Sequence, residues 1–162
     1  MDAQQLYFGL KLFSALGCGL TAGVFFTFSS FVIPALGRLR TTQAIATMQA
    51  INLTVFNPFA IVLFAATGVA CSLLLLIAGF NWQQPGASAL FAGSLMYLCG
   101  VILVSVSAHT RLNNLLAAAN PISENNRLLW AYFRDSWGFW NWVRAIAALV
   151  AAVLMILGFY TV

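Results

Sequence analysis

The sequence predicts an all-α fold, an integral membrane four-helix bundle, and three observations carry that expectation. Hydrophobic residues make up 62% of the 162 and charged residues 6%, where a soluble domain carries roughly a quarter charged. A chain so apolar cannot cover its surface with water-compatible groups, so lipid must cover it. Between Arg40 and Arg111 there is no Asp, Glu, Lys or Arg, a gap that fits two crossings and a short turn at roughly 20 residues per helix. Polar, Pro- and Gly-containing breaks divide the apolar runs at helix-length intervals. Residues 1–162 therefore read as a single transmembrane domain. Its spans lie near 6–33, 56–80, 88–116 and 140–160, with interfacial segments near 42–52 and 123–139.

The first span runs from Leu6 to Ile33, where Pro34 and Gly37 break it. Met1 to Gly9 lacks the basic start of a signal peptide, so this helix reads as uncleaved. Ala15, Gly19 and Gly23 recur every four residues. That small-residue face would admit a neighbouring helix of the bundle or a second copy of the chain. Thr41 or Thr42 caps a modest segment reaching Asn52, whose Gln43, Thr47 and Gln49 suit an interface. The second span, Phe56 to Phe80, opens on Asn57-Pro58, and proline costs little in a first turn. Asn81 to Ala87 makes an uncharged turn, and the third span from Ser88 ends before Asn120-Pro121. Ser123 to Phe139, with Glu124, Arg127, Arg134 and Asp135, reads as an amphipathic linker. The fourth span runs from Trp140 to Tyr160.

Arginine sets the orientation. Arg38 and Arg40 follow the first span; Arg111, Arg127, Arg134 and Arg144 surround the connection between the third and fourth. Basic loops stay cytoplasmic, so both termini are expected on the other side. The compartment is a cell membrane, the inner one if the chain is bacterial. Trp130, Tyr132, Trp137, Trp140 and Trp142 would mark the cytoplasmic interface, and Trp82 and Tyr160 the opposite one.

Several classes are disfavoured. The net charge of +4 is scattered and forms no dense patch, which argues against nucleic acid. Cys18, Cys71 and Cys99 are single thiols in apolar runs without a CxxC, and read as buried small residues. No His, Cys and carboxylate cluster suits a metal, one histidine cannot supply both axial ligands of a haem, and no phosphate-cradling glycine loop is present. No metal or other cofactor is expected.

Polar groups at membrane depth are costly and need a partner or a purpose. Ser105, His109 and Asn113 follow at four-residue spacing and share a helix face. His109, the only histidine, suits a general base or a structural bond at the interface. Trp137, Asn141 and Arg144 share another face, and Trp140 lies one turn before Arg144. An aromatic belt with a snorkelling arginine would explain them, yet Asn141 is neither a good anchor nor a good helix former. Asn52 and Asn57 fall at the same expected depth, as helix caps or as ligand-binding amides.

Several stretches carry a resemblance: GLTAGVFFTFSSFVIPAL (Gly19 to Leu36), MQAIN and FNPF (Met48 to Phe59), RLNNLLA (Arg111 to Ala117) and WAYFRDSWGFWNWVRAIAAL (Trp130 to Leu149). With them the chain resembles the anthrone oxygenase-like (DUF1772) family of small four-helix membrane proteins, most specifically through Trp137 to Arg144. The resemblance implies a cofactor-independent oxygenase of an anthrone-like or other electron-rich lipophilic aromatic. An anthrone's acidic CH₂ gives an anion that can itself reduce O₂. The protein need only bind a flat apolar molecule, take the proton and steady the oxyanion. On that reading His109, Asn113 and Arg144 are catalytic, while Asn57, Trp137, Trp140 and Asn141 bind substrate. The family's Asn-x-Pro-Leu-Asn reads His109-Thr110-Arg111-Leu112-Asn113 here, which keeps the last Asn and supplies a base. The other expectation is a non-enzymatic membrane protein that binds lipophilic molecules or serves as an accessory subunit of a membrane complex. The expected partners are the lipid bilayer, a lipophilic aromatic small molecule, and a second copy of the chain or another membrane subunit.

Overall fold

The computed structural model describes residues 2–55, 57–123 and 126–160, nearly all of them helical. Helix α1 spans Ala3–Leu36. It begins earlier than the apolar run because Asp2 caps it. The Asp2 carboxylate accepts from the Gln5 N–H at 2.8 Å, and the Gln5 side chain accepts from the Asp2 N–H. Pro34 does not end this helix, as its sequence position suggested. The backbone widens into a π-segment over Phe28–Val32, which absorbs the missing N–H and the ring's clash with the carbonyl four residues back. The Ser30 hydroxyl donates to the Phe26 carbonyl at 2.6 Å in the same stretch. Gly37 then closes the helix.

Helix α2, Thr41–Val55, is longer than the expected interfacial segment. It buries Ala44, Ile45 and Met48 completely. Gln49 ties it down by donating to the Leu116 and Ala119 carbonyls at 2.8 and 2.9 Å, groups that a helix C-terminus leaves without internal donors. Helix α3, Pro58–Phe80, starts after Asn57, whose side chain accepts from the Ala60 N–H. Phe56, the expected first residue, lies outside the described residues. Gly86, at φ 80°, makes the left-handed turn before α4, Ala87–Ala117. This helix contains π-segments over Leu98–Leu103 and Ser105–His109.

Helix α5, Arg127–Tyr160, corrects the division of this region into a linker and a span starting at Trp140. Trp130, Phe133, Trp137, Asn141, Arg144, Ala148, Ala151 and Met155 are all buried, at steps of three and four that make one unbroken helical stripe. Arg134 and Asp135 suggested a separate amphipathic piece, but they pair with each other on the exposed side of the same helix. Glu124 lies outside the described residues.

Helices α1, α3, α4 and α5 are long and apolar enough to cross a membrane. Their exposed Leu, Val, Ile and Phe side chains suit a lipid-facing surface. α1 packs along α5, α5 along α4, α4 beside α3, and α3 beside α1, closing a ring. With 34 residues each, α1 and α5 are about 50 Å long and outrun a hydrocarbon core of about 30 Å. Against the excess length pack α2 and the C-terminal end of α4. The molecule thus has two cores, one along the ring around Cys18, Leu74, Tyr97 and Ala148, the other in the cap around Ile45, Met48, Leu116 and Phe133. Cys18 and Cys71 are buried free thiols in the first, Sγ to Sγ 3.9 Å, and Cys99 is exposed.

Close helix approach occurs at glycines other than those expected. A side chain at Gly100 would collide with Ala147 of α5, and one at Gly17 with Thr67 of α3. Gly19 and Gly23 are exposed, with nothing within 4 Å of an added Cβ. They do not pack inside the bundle. The aromatic belt is also corrected. Trp130 and Trp137 are each 5% exposed and belong to the cap core, whereas Trp82, Trp140 and Trp142 remain exposed.

Candidate functional site

A cavity of about 290 Å³ lies where the two cores meet. Every helix contributes to it: Phe25 and Phe28 of α1, Ile51 and Asn52 of α2, Phe64 of α3, Ser105, His109 and Asn113 of α4, and Trp137, Asn141 and Arg144 of α5. An apolar void of about 150 Å³ takes one benzene, so this volume admits two to three fused rings. A second, more open groove between α3 and α4 shares Val55, Phe64 and Ile102 with it.

Arg144 is held by a relay that begins on the α1 backbone. The Asn141 amide donates to the Phe25 carbonyl and the Ser29 hydroxyl, both at 2.7 Å. Its oxygen accepts from Arg144 Nη2. This orientation is forced, because a carbonyl only accepts and a guanidinium only donates. Arg144 Nη1 donates to the Ser105 hydroxyl at 3.2 Å, which in turn donates to the Val101 carbonyl at 2.7 Å. The guanidinium sits 4.1 Å from the Phe25 ring centroid and 5.6 Å from that of Trp137. Phe64 stacks on Phe25 at 5.4 Å with the planes 3° apart.

Energetics explain how a cation only 7% exposed is tolerated without a carboxylate. Burying it costs several kcal/mol. Two hydrogen bonds from a charged group return about 1.5–3 kcal/mol each, and the aromatic faces about 2. The balance is near zero, but the charge is not neutralised. Two of its five N–H groups are used, and Nε is buried without a partner.

His109 ends the second π-segment of α4 and is 3% exposed. π-segments often mark functional positions, because they redirect side chains that a regular helix would place elsewhere. Its ring meets Trp137 edge-on at 5.0 Å, and neither ring nitrogen has a hydrogen-bond partner among the described residues. Trp137 Nε1 donates to the Asn113 side-chain oxygen at 3.0 Å, joining α5 to α4 across the cavity. The described residues bring together no group of three His, Cys, Asp or Glu side chains.

Of the seven residues singled out from the sequence, His109, Asn113, Trp137, Asn141 and Arg144 line this one cavity. Asn57 and Trp140 do not. Asn57 is exposed and spends its side chain on capping α3 and on the Thr54 carbonyl. Trp140 is 38% exposed and packs against Phe139, because one residue from Asn141 is a rotation of about 100° around the helix. Asn52 occupies the position expected of Asn57. The aromatic wall comes from Phe25, Phe28 and Phe64, which sequence reading did not single out. Phe is so frequent here, 14 residues, that nothing in the sequence sets Phe25, Phe28 and Phe64 apart from the others.

Comparison with curated proteins and with solved structures finds no match. The family model for anthrone oxygenase matches residues 47–154. That stretch contains α2 from Thr47 onward, α3, α4 and most of α5, hence every cavity residue named above except those of α1. It leaves outside the Gly19 to Leu36 stretch, whose likeness stands on its own residues. Because the match covers more than half of the chain, the protein belongs to the anthrone oxygenase family.

Proposed function

We propose that the protein is a membrane-embedded oxygenase that oxidises an anthrone-like, electron-rich lipophilic aromatic with O₂ and no bound cofactor. The observation that carries this reading is the pairing, in one aromatic-lined cavity, of His109 with an Arg144 that no carboxylate reaches among the described residues. Family membership agrees with it.

In this reading the flat substrate lies in the cavity beside Trp137 and Phe28 with its ketone oxygen toward Arg144. His109 takes one proton from the reactive CH₂. The negative charge spreads onto the ketone oxygen, where Arg144, held in place by Asn141, and the Asn113 amide N–H groups stabilise it. The carbanion gives its electrons to O₂ and forms a C–O bond. Loss of the second C–H proton and cleavage of O–O leave a new ketone and release water. One O₂ is consumed, one oxygen atom stays in the product and the other leaves as water, so no external reductant is needed.

The test is conversion of anthrone to anthraquinone by the protein in lipid nanodiscs, followed by absorbance and oxygen uptake. General-base removal costs about 10²–10⁴-fold. His109→Ala should therefore lose at least about 10² of the catalysed rate while its thermal midpoint stays near that of the wild type. A variant that melts early but turns over normally per folded molecule would assign His109 to holding the bundle together.

A further inference from the structure

We propose that the cavity selects flat aromatic acids as their anions, with Arg144 as the counterion, over neutral molecules of the same shape. This inference rests on the reading of the cavity as an aromatic site and adds the charge of its ligand.

The first observation is the missing counterion. The chain has three acidic residues. Asp2 caps α1 at the far end of the bundle. Asp135 is bound to Arg134 at 3.0 Å on the exposed side of α5. Glu124 lies outside the described residues and precedes Arg127, which stands about 25 Å along the helix from Arg144. Among the described residues no carboxylate reaches the guanidinium, whose side-chain partners are the neutral Asn141 and Ser105.

The second observation is that the charge is held in place and turned toward the cavity. Asn141, anchored to the α1 backbone, and Ser105 of α4 fix it, and the Phe25 ring lies against it. A rigid, preorganised fork of this kind matches a carboxylate or phenolate better than a neutral oxygen, because the attraction of opposite charges adds to the hydrogen bonds. Low dielectric around it magnifies the difference. The third observation is shape. Phe28, Phe64 and Trp137 line, with Phe25 behind Arg144, a volume suited to two or three fused rings. A fatty acid or a phospholipid head group carries the same anionic chemistry, but its chain leaves those faces unstacked.

The experiment measures equilibrium binding to the full chain in phosphatidylcholine nanodiscs, with empty nanodiscs subtracted. The probes are anthracene-9-carboxylate, the neutral anthracene-9-methanol, and oleate as competitor. The carboxylate should bind about tenfold or more tightly than the alcohol. Arg144→Met should bring the two to within about twofold of each other, and Arg144→Lys should keep part of the preference. Oleate at equal concentration should displace little of the carboxylate. Equal affinity for carboxylate and alcohol in the wild type overturns the charge inference and leaves the aromatic site standing. Absence of binding by either probe overturns both. Displacement by oleate as effective as by unlabelled carboxylate overturns the preference for a flat ring. The wild-type comparison decides the matter even where Arg144→Met does not fold.

Discussion

Asn141 joins α1 to Arg144. One amide satisfies a main-chain carbonyl of α1, a serine hydroxyl and a guanidinium. Removing it leaves a buried carbonyl and a buried cation short of a partner. Asn141→Ala should lower stability by about 2–4 kcal/mol, read as a drop in thermal midpoint in detergent. An unchanged midpoint would mean that the relay is made by other groups. The residue was legible because asparagine is neither a good interfacial anchor nor a good helix former, and because its spacing from Trp137 and Arg144 puts all three on one face. His109 and Asn113 were legible for the same reason. Asn57 and Trp140 misled for a shared reason: depth along the bundle is visible in sequence, but rotation around the helix and competition from capping are not.

At the scale of elements, the four spans were legible from hydropathy, and their ends were not. α1 and α5 extend beyond the apolar windows because Asp2 caps one and an aromatic stripe from Trp130 continues the other. The π-segments were not legible at all. One precedes Pro34, where proline reads as a stop. Two lie in α4, where the Ser105, Ser107 and Thr110 hydroxyls donate to backbone carbonyls four or five residues earlier. They matter because they lie beside Phe28, Ser105 and His109 in the cavity wall. The small-residue pattern misled as well, since Gly19 and Gly23 fit the spacing rule but face outward, while the contacts fall at Gly17 and Gly100. A paired prediction follows from the geometry. Gly100→Leu should cost about 2–3 kcal/mol by driving α4 off Ala147, whereas Gly19→Leu should leave the monomer's thermal midpoint within error. Equal loss in both would contradict the packing described for α1.

At the scale of the whole molecule, the cavity exists because two cores of different kinds meet. The ring of four spans packs many small side chains, such as Cys18, Ala148 and Ala151, while the cap formed by α2 and the helix ends packs larger ones, such as Met48, Trp130 and Phe133. Asn52, Asn113 and Arg144 stand near the seam, where a lipophilic molecule could keep its rings in the bundle and its oxygens toward polar groups. The cap end also carries Arg38, Arg40, Arg111, Arg127 and Arg134, so the positive-inside rule predicts that this end faces the cytoplasm. In a cysteine-free background, Gln84→Cys should react with a membrane-impermeant maleimide from outside the cell. Labelling from the cytoplasmic side alone would invert this orientation.

The most direct test of the account is an experimental structure of the protein grown with anthraquinone, the product expected of an anthrone. The rings should lie in the aromatic-lined cavity beside Trp137 and Phe28, with one ketone oxygen about 2.7–3.2 Å from an Arg144 nitrogen and the opposite edge of the molecule near His109. Anthraquinone found only in the open groove between α3 and α4, with the cavity unchanged and Arg144 still bonded solely to Asn141 and Ser105, would contradict it.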